Sequence, residues 1–169
     1  YDKDTGAEKW RALSASEPGY GTPNLIDHAG QKQLIVWHSQ SINSLDPETG
    51  NVFWSIPLKP GFNMAVMTPR LHGDYLFASA IGYVSALIKL DPSKPAASIV
   101  WRGTTQNSVY TVNATPFIKD GTIFGCNVET SDLIAVKMDN AERLWMTKQP
   151  TIGEGNKARH GTAFIVRHE

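Results

Sequence analysis

Apolar positions along the chain fall in short runs, such as Leu34-Ile35-Val36-Trp37, Tyr75-Leu76-Phe77-Ala78 and Leu133-Ile134-Ala135-Val136, each cut off by Gly, Pro, Asn or Asp. No apolar series is sustained at helical spacing, and breakers interrupt every candidate helix. The runs predict β-strands divided by turns. A first group is expected at residues 22–26, 33–38, 42–45 and 51–56, with a turn at Asp27-His28-Ala29-Gly30. A second begins near Ala65-Val66-Met67-Thr68 and turns at His72-Gly73-Asp74, with strands at 75–80, 82–90 and 98–101. A third is expected at 111–115, 122–127, 133–138 and 142–145, with Asp120-Gly121 as a strong hairpin pair. Residues 1–10 and 162–166 read as the end and the start of two further groups.

The groups repeat. Asn43 to Trp54 reads N-S-L-D-P-E-T-G-N-V-F-W, a strand end, a turn and a second strand closing on tryptophan. Asp46 and Pro47 suit a turn start, and Gly50 supplies a positive φ at little steric cost. Residues 2–10 have the same form; residues 90–101 have two residues inserted and no Thr-Gly; residues 136–145 carry Asn140-Ala141 in its place. The four tryptophans, Trp10, Trp54, Trp101 and Trp145, are 44, 47 and 44 residues apart. A second marker, Thr22-Pro23, Thr68-Pro69, Thr115-Pro116 and Thr162-Ala163, recurs at 46, 47 and 47. A period in the mid-forties belongs to four-stranded propeller units or to helical arrays, and the strand content selects the β array.

The pattern Leu45-Asp46-x-x-Thr49-Gly50-x-x-x-Trp54, with Gly-x-Val-x-Ala-Leu at residues 82–87, resembles the pyrroloquinoline-quinone (PQQ)-type β-propeller repeat over nearly the whole chain. The resemblance implies an all-β fold, a propeller segment of four-stranded antiparallel blades. Three complete blades would lie at residues 20–56, 65–101 and 111–145, with two partial ones at 1–10 and 162–166, all within one domain spanning 1–169. The parent ring is expected to hold about six to eight blades. WD-type propellers are the nearest rival, but Arg, Ser, Arg and Met follow the four tryptophans where that family places Asp. In the PQQ-type family the tryptophan docks on the next blade, so all four are read as structural, as large apolar surfaces with one donor.

Composition narrows the function. Lys plus Arg and Asp plus Glu each number 16, so no basic excess attracts nucleic acid or anionic membrane. No apolar run has membrane-spanning length. The single cysteine, Cys126, excludes an internal disulfide and a CxxC motif, and it reads as a buried small hydrophobe. Motifs for a nucleophile elbow, a zinc-binding helix or a phosphate loop are missing, and His28, His38, His72, His160 and His168 lack metal-ligand spacing. No catalytic or metal-ligating residue is assigned.

Inter-blade connections of a propeller gather at one face. Here they bring Tyr20, Asn63, Tyr110, Asn113, Arg159 and His160 to a candidate channel mouth, suited to an anionic or polyhydroxy ligand; the same residues also suit a wet channel without one. Arg70 and His38 are weaker candidates. The resemblance implies two functions. One is a non-catalytic binding or assembly scaffold outside the cytoplasm, periplasmic or in the cell envelope, meeting a protein partner or a small polar ligand. The alternative is part of a PQQ-dependent dehydrogenase, with PQQ and calcium held in the full-length protein. The adjacent-cysteine disulfide of many such enzymes cannot form with one Cys. Glu17, Glu129, Asp132 and Glu154 show no recognisable calcium arrangement.

Overall fold

Strands and turns alternate as the apolar runs require, and they assemble into three antiparallel sheets in a computed structural model that describes residues 1–166. The first sheet holds β1 (Asn24–His28), β2 (Gln31–Trp37), β3 (Ser41–Leu45) and β4 (Val52–Pro57). The second holds β5 (Arg70–His72), β6 (Tyr75–Ala80), β7 (Val84–Leu90) and β8 (Ala97–Arg102). The third holds β9 (Phe117–Lys119), β10 (Thr122–Cys126), β11 (Leu133–Lys137) and β12 (Arg143–Thr147). Strands follow chain order across every sheet, as in propeller blades. No α-helix occurs among the described residues.

Each inner strand begins later than the apolar pattern suggests. β1, β5 and β9 start at Asn24, Arg70 and Phe117, the residue following the proline of each Thr-Pro marker. Proline has no N–H for the ladder, so the marker is the entry to the inner strand and not its interior. Residues 162–166, expected as an inner strand, form none, and residues 1–10 form only a turn. No neighbouring strand among the described residues pairs with their backbone, and an extended segment without a ladder is not a strand.

Two cores lie between successive sheets. Ile35, Ile42, Trp54 and Ile56 of the first sheet meet Leu76, Ala78, Ile88 and Leu90 of the second. The opposite face of the second sheet sends Phe77 and Leu87 to Ile118, Ile123, Ile134 and Val136 of the third. The central sheet is thus buried on both faces. β12, at the end of the row, leaves Leu144, Trp145 and Met146 exposed.

One irregularity recurs in all three sheets. The ladder between the third and fourth strands shifts at Ser44/Leu45, Leu87/Ile88 and Ala135/Val136. Trp54, Trp101 and Trp145 pair with Ser44, Leu87 and Ala135, while Phe53, Val100 and Leu144 are skipped. A β-bulge therefore precedes every one of these tryptophans. Bulges bend the strand and re-aim side chains, and here each turns the indole out of the plain alternation of its strand.

The turns explain where the indoles go. Trp10 donates its ring N–H to the carbonyl of Pro47 at 3.0 Å, and Trp101 donates to Met138 at 2.8 Å, in both cases 37 residues downstream on the next sheet's final turn. Gly50 completes the first seat. Its φ is +75°, and a Cβ there would lie 2.5 Å from Cε3 of Trp10. Ala141, at φ 61°, occupies the matching position in the third sheet's final turn, its N–H on the Lys137 carbonyl at 3.0 Å as that of Gly50 is on Asp46 at 2.9 Å. In the second sheet the turn closes through Asp91 N–H to Ala96 at 2.9 Å, which puts Pro95 where Gly50 stands in the first. The proline ring locks φ near about −65°. Trp54 finds no such carbonyl and donates instead to Gln33 Oε1 of its own sheet at 3.2 Å, while remaining buried against the second. Trp145 meets no following sheet among the described residues. It is 43% exposed and packs on Phe124 of its own sheet, with ring centroids 6.1 Å apart.

Candidate functional site

The connections between sheets converge with the turns between second and third strands at one face. Backbone contacts set this face before any side chain does. The segment after β4 makes a short 3₁₀ turn at Gly61–Asn63, and the Gly61 N–H reaches the Ile81 carbonyl at 2.8 Å. A Cβ on Gly61 would lie 3.0 Å from that oxygen, so only glycine fits this approach comfortably. The next residue, Gly82, donates its N–H to Glu129 Oε1 of the third sheet at 2.9 Å. Val128 N–H reaches Tyr110 O, and His160 N–H reaches Val128 O, each at 2.8 Å. Three successive units are thus tied side by side through backbone groups and one carboxylate.

These ties enclose a cleft of ≈ 350 Å³. Phe62, Met64, Ile81 and Val128 form its apolar wall, and Glu129, Arg159 and His160 its polar rim. Phe62 is left-handed (φ 54°, ψ 22°) and 84% exposed. Beside it, Asn63 is also left-handed (φ 59°) and donates to Glu17 Oε1 at 3.0 Å.

The six residues expected at a channel mouth separate here. Arg159 and His160 line the cleft, with Asn63 on the adjoining turn. Tyr20 is 66% exposed and Asn113 is exposed, but neither lines it. Tyr110 is a correction. Its ring is buried edge-on against Tyr83, with centroids 5.2 Å apart, and its hydroxyl lies against the carbonyls of Thr104 and Asn107, the latter at 2.8 Å. Burial raises its pKa to about 12, so the neutral phenol is a fastener for the loop after β8 and is not open to a ligand.

The two weaker candidates lie elsewhere. Arg70 shares a cleft of ≈ 450 Å³ with Asp27, Thr68 and Thr115, where the inner strands approach one another. His38 is buried. Its Nδ1 accepts from the Gln40 N–H at 3.2 Å, and burial lowers its pKa, which suits a neutral structural ring. Cys126 is likewise buried, and its thiol pKa is raised by burial and then by the charge of Asp132.

Between the strands expected at 122–127 and 133–138, Asn127–Asp132 forms a turn whose geometry the sequence reading does not specify. It repeats the Asx geometry of the outer turns, with Asn127 N–H to Asp132 O at 2.8 Å and Glu129 N–H to Asn127 Oδ1 at 3.0 Å. Its sequence, N-V-E-T-S-D, carries the signal of an Asx residue followed three positions later by Thr.

A family model described as outer membrane protein assembly factor BamB matches residues 1–169, the entire chain. The chain belongs to this family. Its PQQ-like repeats and all-β blades are those of a propeller, and this BamB-family chain is similar to solved propeller structures. Quinohemoprotein alcohol dehydrogenase ADHIIG from Pseudomonas putida HK5 matches with TM-score 0.56 at 10% identity, over 79% of this chain and 21% of that one. A europium-containing methanol dehydrogenase matches with TM-score 0.56 at 11% identity, over 82% and 26%. BamB from Moraxella catarrhalis matches with TM-score 0.48 at 17% identity, over 71% and 34%. The BamB-family chain therefore spans about a fifth to a third of these structures. No curated protein matches it in sequence.

The quinone and calcium ion implied by the resemblance call for a clustered oxygen donor set, since calcium takes about six to eight oxygens. The described residues do not fit: no group of three or more His, Cys, Asp or Glu that could hold a metal ion comes together among them. Glu17 and Glu129 are engaged in the ties above, and Glu154 accepts from Thr147 Oγ1 and the Lys148 N–H. No helix among the described residues is long and apolar enough to cross a membrane.

Proposed function

We propose that this chain is part of a non-catalytic binding or assembly scaffold, working outside the cytoplasm in the periplasm or cell envelope. Its inter-blade connections meet a protein partner or a small polar ligand. The observation that carries this reading is the match, over every residue, to a family described as an outer membrane protein assembly factor. The loop face supports it, because a surface fixed by backbone ties keeps its shape without a partner and loses little conformational freedom on binding. The competing reading, part of a PQQ-dependent dehydrogenase, rests on a fold shared with two dehydrogenases, and one fold hosts many activities.

Site-specific photo-crosslinking tests the proposal. A crosslinker at Asn63 or Asn113 of the full chain, activated in intact cells, is expected to give a discrete adduct with an envelope protein. Absence of adducts from every loop-face position, together with quinone-dependent alcohol oxidation by the purified protein, would overturn it.

A further inference from the structure

The cleft behind Phe62 has features that folding does not require. Phe62 is an aromatic residue in a left-handed conformation, which costs a β-carbon-bearing residue energy wherever it occurs. Its ring contributes to neither core cluster. Such strain persists only where the surroundings impose it, and here the Gly61 tie to Ile81 and the Asn63 bond to Glu17 hold both flanks. The result is an exposed ring standing over an apolar wall of Met64, Ile81 and Val128.

Charge at the rim says what fits. Glu129 already accepts the Gly82 N–H. Arg159 is exposed and pairs with no carboxylate among the described residues. A single guanidinium above an apolar slot matches one large apolar side chain with one carboxylate close by, held by a two-pronged charge-assisted contact. The chain has equal numbers of acidic and basic residues, so it lacks the cationic excess that an anionic membrane or nucleic acid selects. At ≈ 350 Å³ the slot lies at the small end of ligand cavities, the scale of a side chain and its backbone.

We infer that this cleft binds an extended peptide segment of a partner protein, with an aromatic or large aliphatic side chain stacked on Phe62 and a neighbouring carboxylate on Arg159. This rests on the scaffold reading and specifies the surface and the chemistry of its partner. The test is a titration of the isotope-labelled full chain with acetyl-Gly-Asp-Phe-Asp-Gly-amide, followed through backbone amide resonances. Saturable shifts are expected at residues 61–64, 81–82, 128–129 and 159–160. Arg159→Gln, or Asn in place of both peptide Asp residues, is expected to weaken binding about tenfold or more, the loss of a charge-assisted contact. Phe62→Gly should abolish binding while raising the melting temperature, because it relieves the left-handed strain; a merely structural Phe62 would lower it.

Unperturbed amides at millimolar peptide would overturn the inference. So would equal binding by the Asn peptide, shifts confined to Thr68 and Arg70, or displacement of the peptide by vesicles of equal parts phosphatidylglycerol and phosphatidylcholine. If envelope crosslinks persist in Phe62→Gly and Arg159→Gln, the scaffold stands and this surface is wrong. If quinone binds saturably, the scaffold itself falls.

Discussion

Replacing Gly50 with alanine tests how the blades are joined. Gly50 and Gly30 both sit in turns at positive φ, +75° and +68°. A Cβ on Gly30 would meet nothing within 4 Å, whereas one on Gly50 would strike the Trp10 ring at 2.5 and 2.8 Å. Gly30→Ala therefore reports the backbone penalty alone, about 1 kcal/mol after the left-handed cost is offset by a less flexible unfolded chain. Gly50→Ala carries the same penalty and also unseats Trp10. The lost ring N–H contact to Pro47 removes about 1 kcal/mol, and partial exposure of the indole about 1–2 more. We expect a difference of about 2–3 kcal/mol between the two variants.

Urea unfolding followed by circular dichroism supplies both values, and the indole N–H resonance of Trp10 reports the seat directly. In a Trp10→Ala background the difference should shrink to about 0.5 kcal/mol or less, since the clash partner is gone. Equal costs in the parent chain, or an unchanged difference in that background, would refute the seating of Trp10 on the final turn of the first sheet.

Trp54→Ala is expected to cost about 3–5 kcal/mol in the same assay, the range for truncating a buried tryptophan; a change within error would remove Trp54 from the inter-sheet core. Buried His38 makes stability fall with acid: its pKa is lowered in the fold, so the unfolded chain binds the proton first as pH drops below 6.5. Melting temperatures between neutral and acid pH should decline from there, and His38→Gln should flatten that limb. Leu144, Trp145 and Met146 are exposed on β12, the outer strand of the third sheet, so light scattering should find concentration-dependent association, weakened by Trp145→Ser. A monomer at all concentrations would contradict this.

Periodic residues make the repeat legible in the sequence. Tryptophan, Asp-x-x-Thr-Gly and Thr-Pro each mark one step of a unit, and the hairpin at Asp120-Gly121 takes the positive φ at both positions that its residues favour. Even the departures carry meaning: loss of Thr-Gly before Trp101 coincides with the seat that Trp54 lacks. Strand starts were displaced because the ladder excludes proline, which an apolar pattern does not register. The bulges at Phe53, Val100 and Leu144 were hidden, since they arise from packing between strands and leave no local composition. The candidate site was legible only as a set of connections. Tyr110 and Arg159 both belong to connections, yet one is sealed under Tyr83 and the other stands at a cleft rim. That distinction depends on contacts tens of residues away.

The central claim is a scaffold without quinone chemistry, and a titration of PQQ with calcium into the full-length protein, followed by tryptophan fluorescence, addresses it most directly. We expect no saturable quenching at micromolar quinone. Saturable quenching that a chelator abolishes would contradict the scaffold and place this chain in a dehydrogenase.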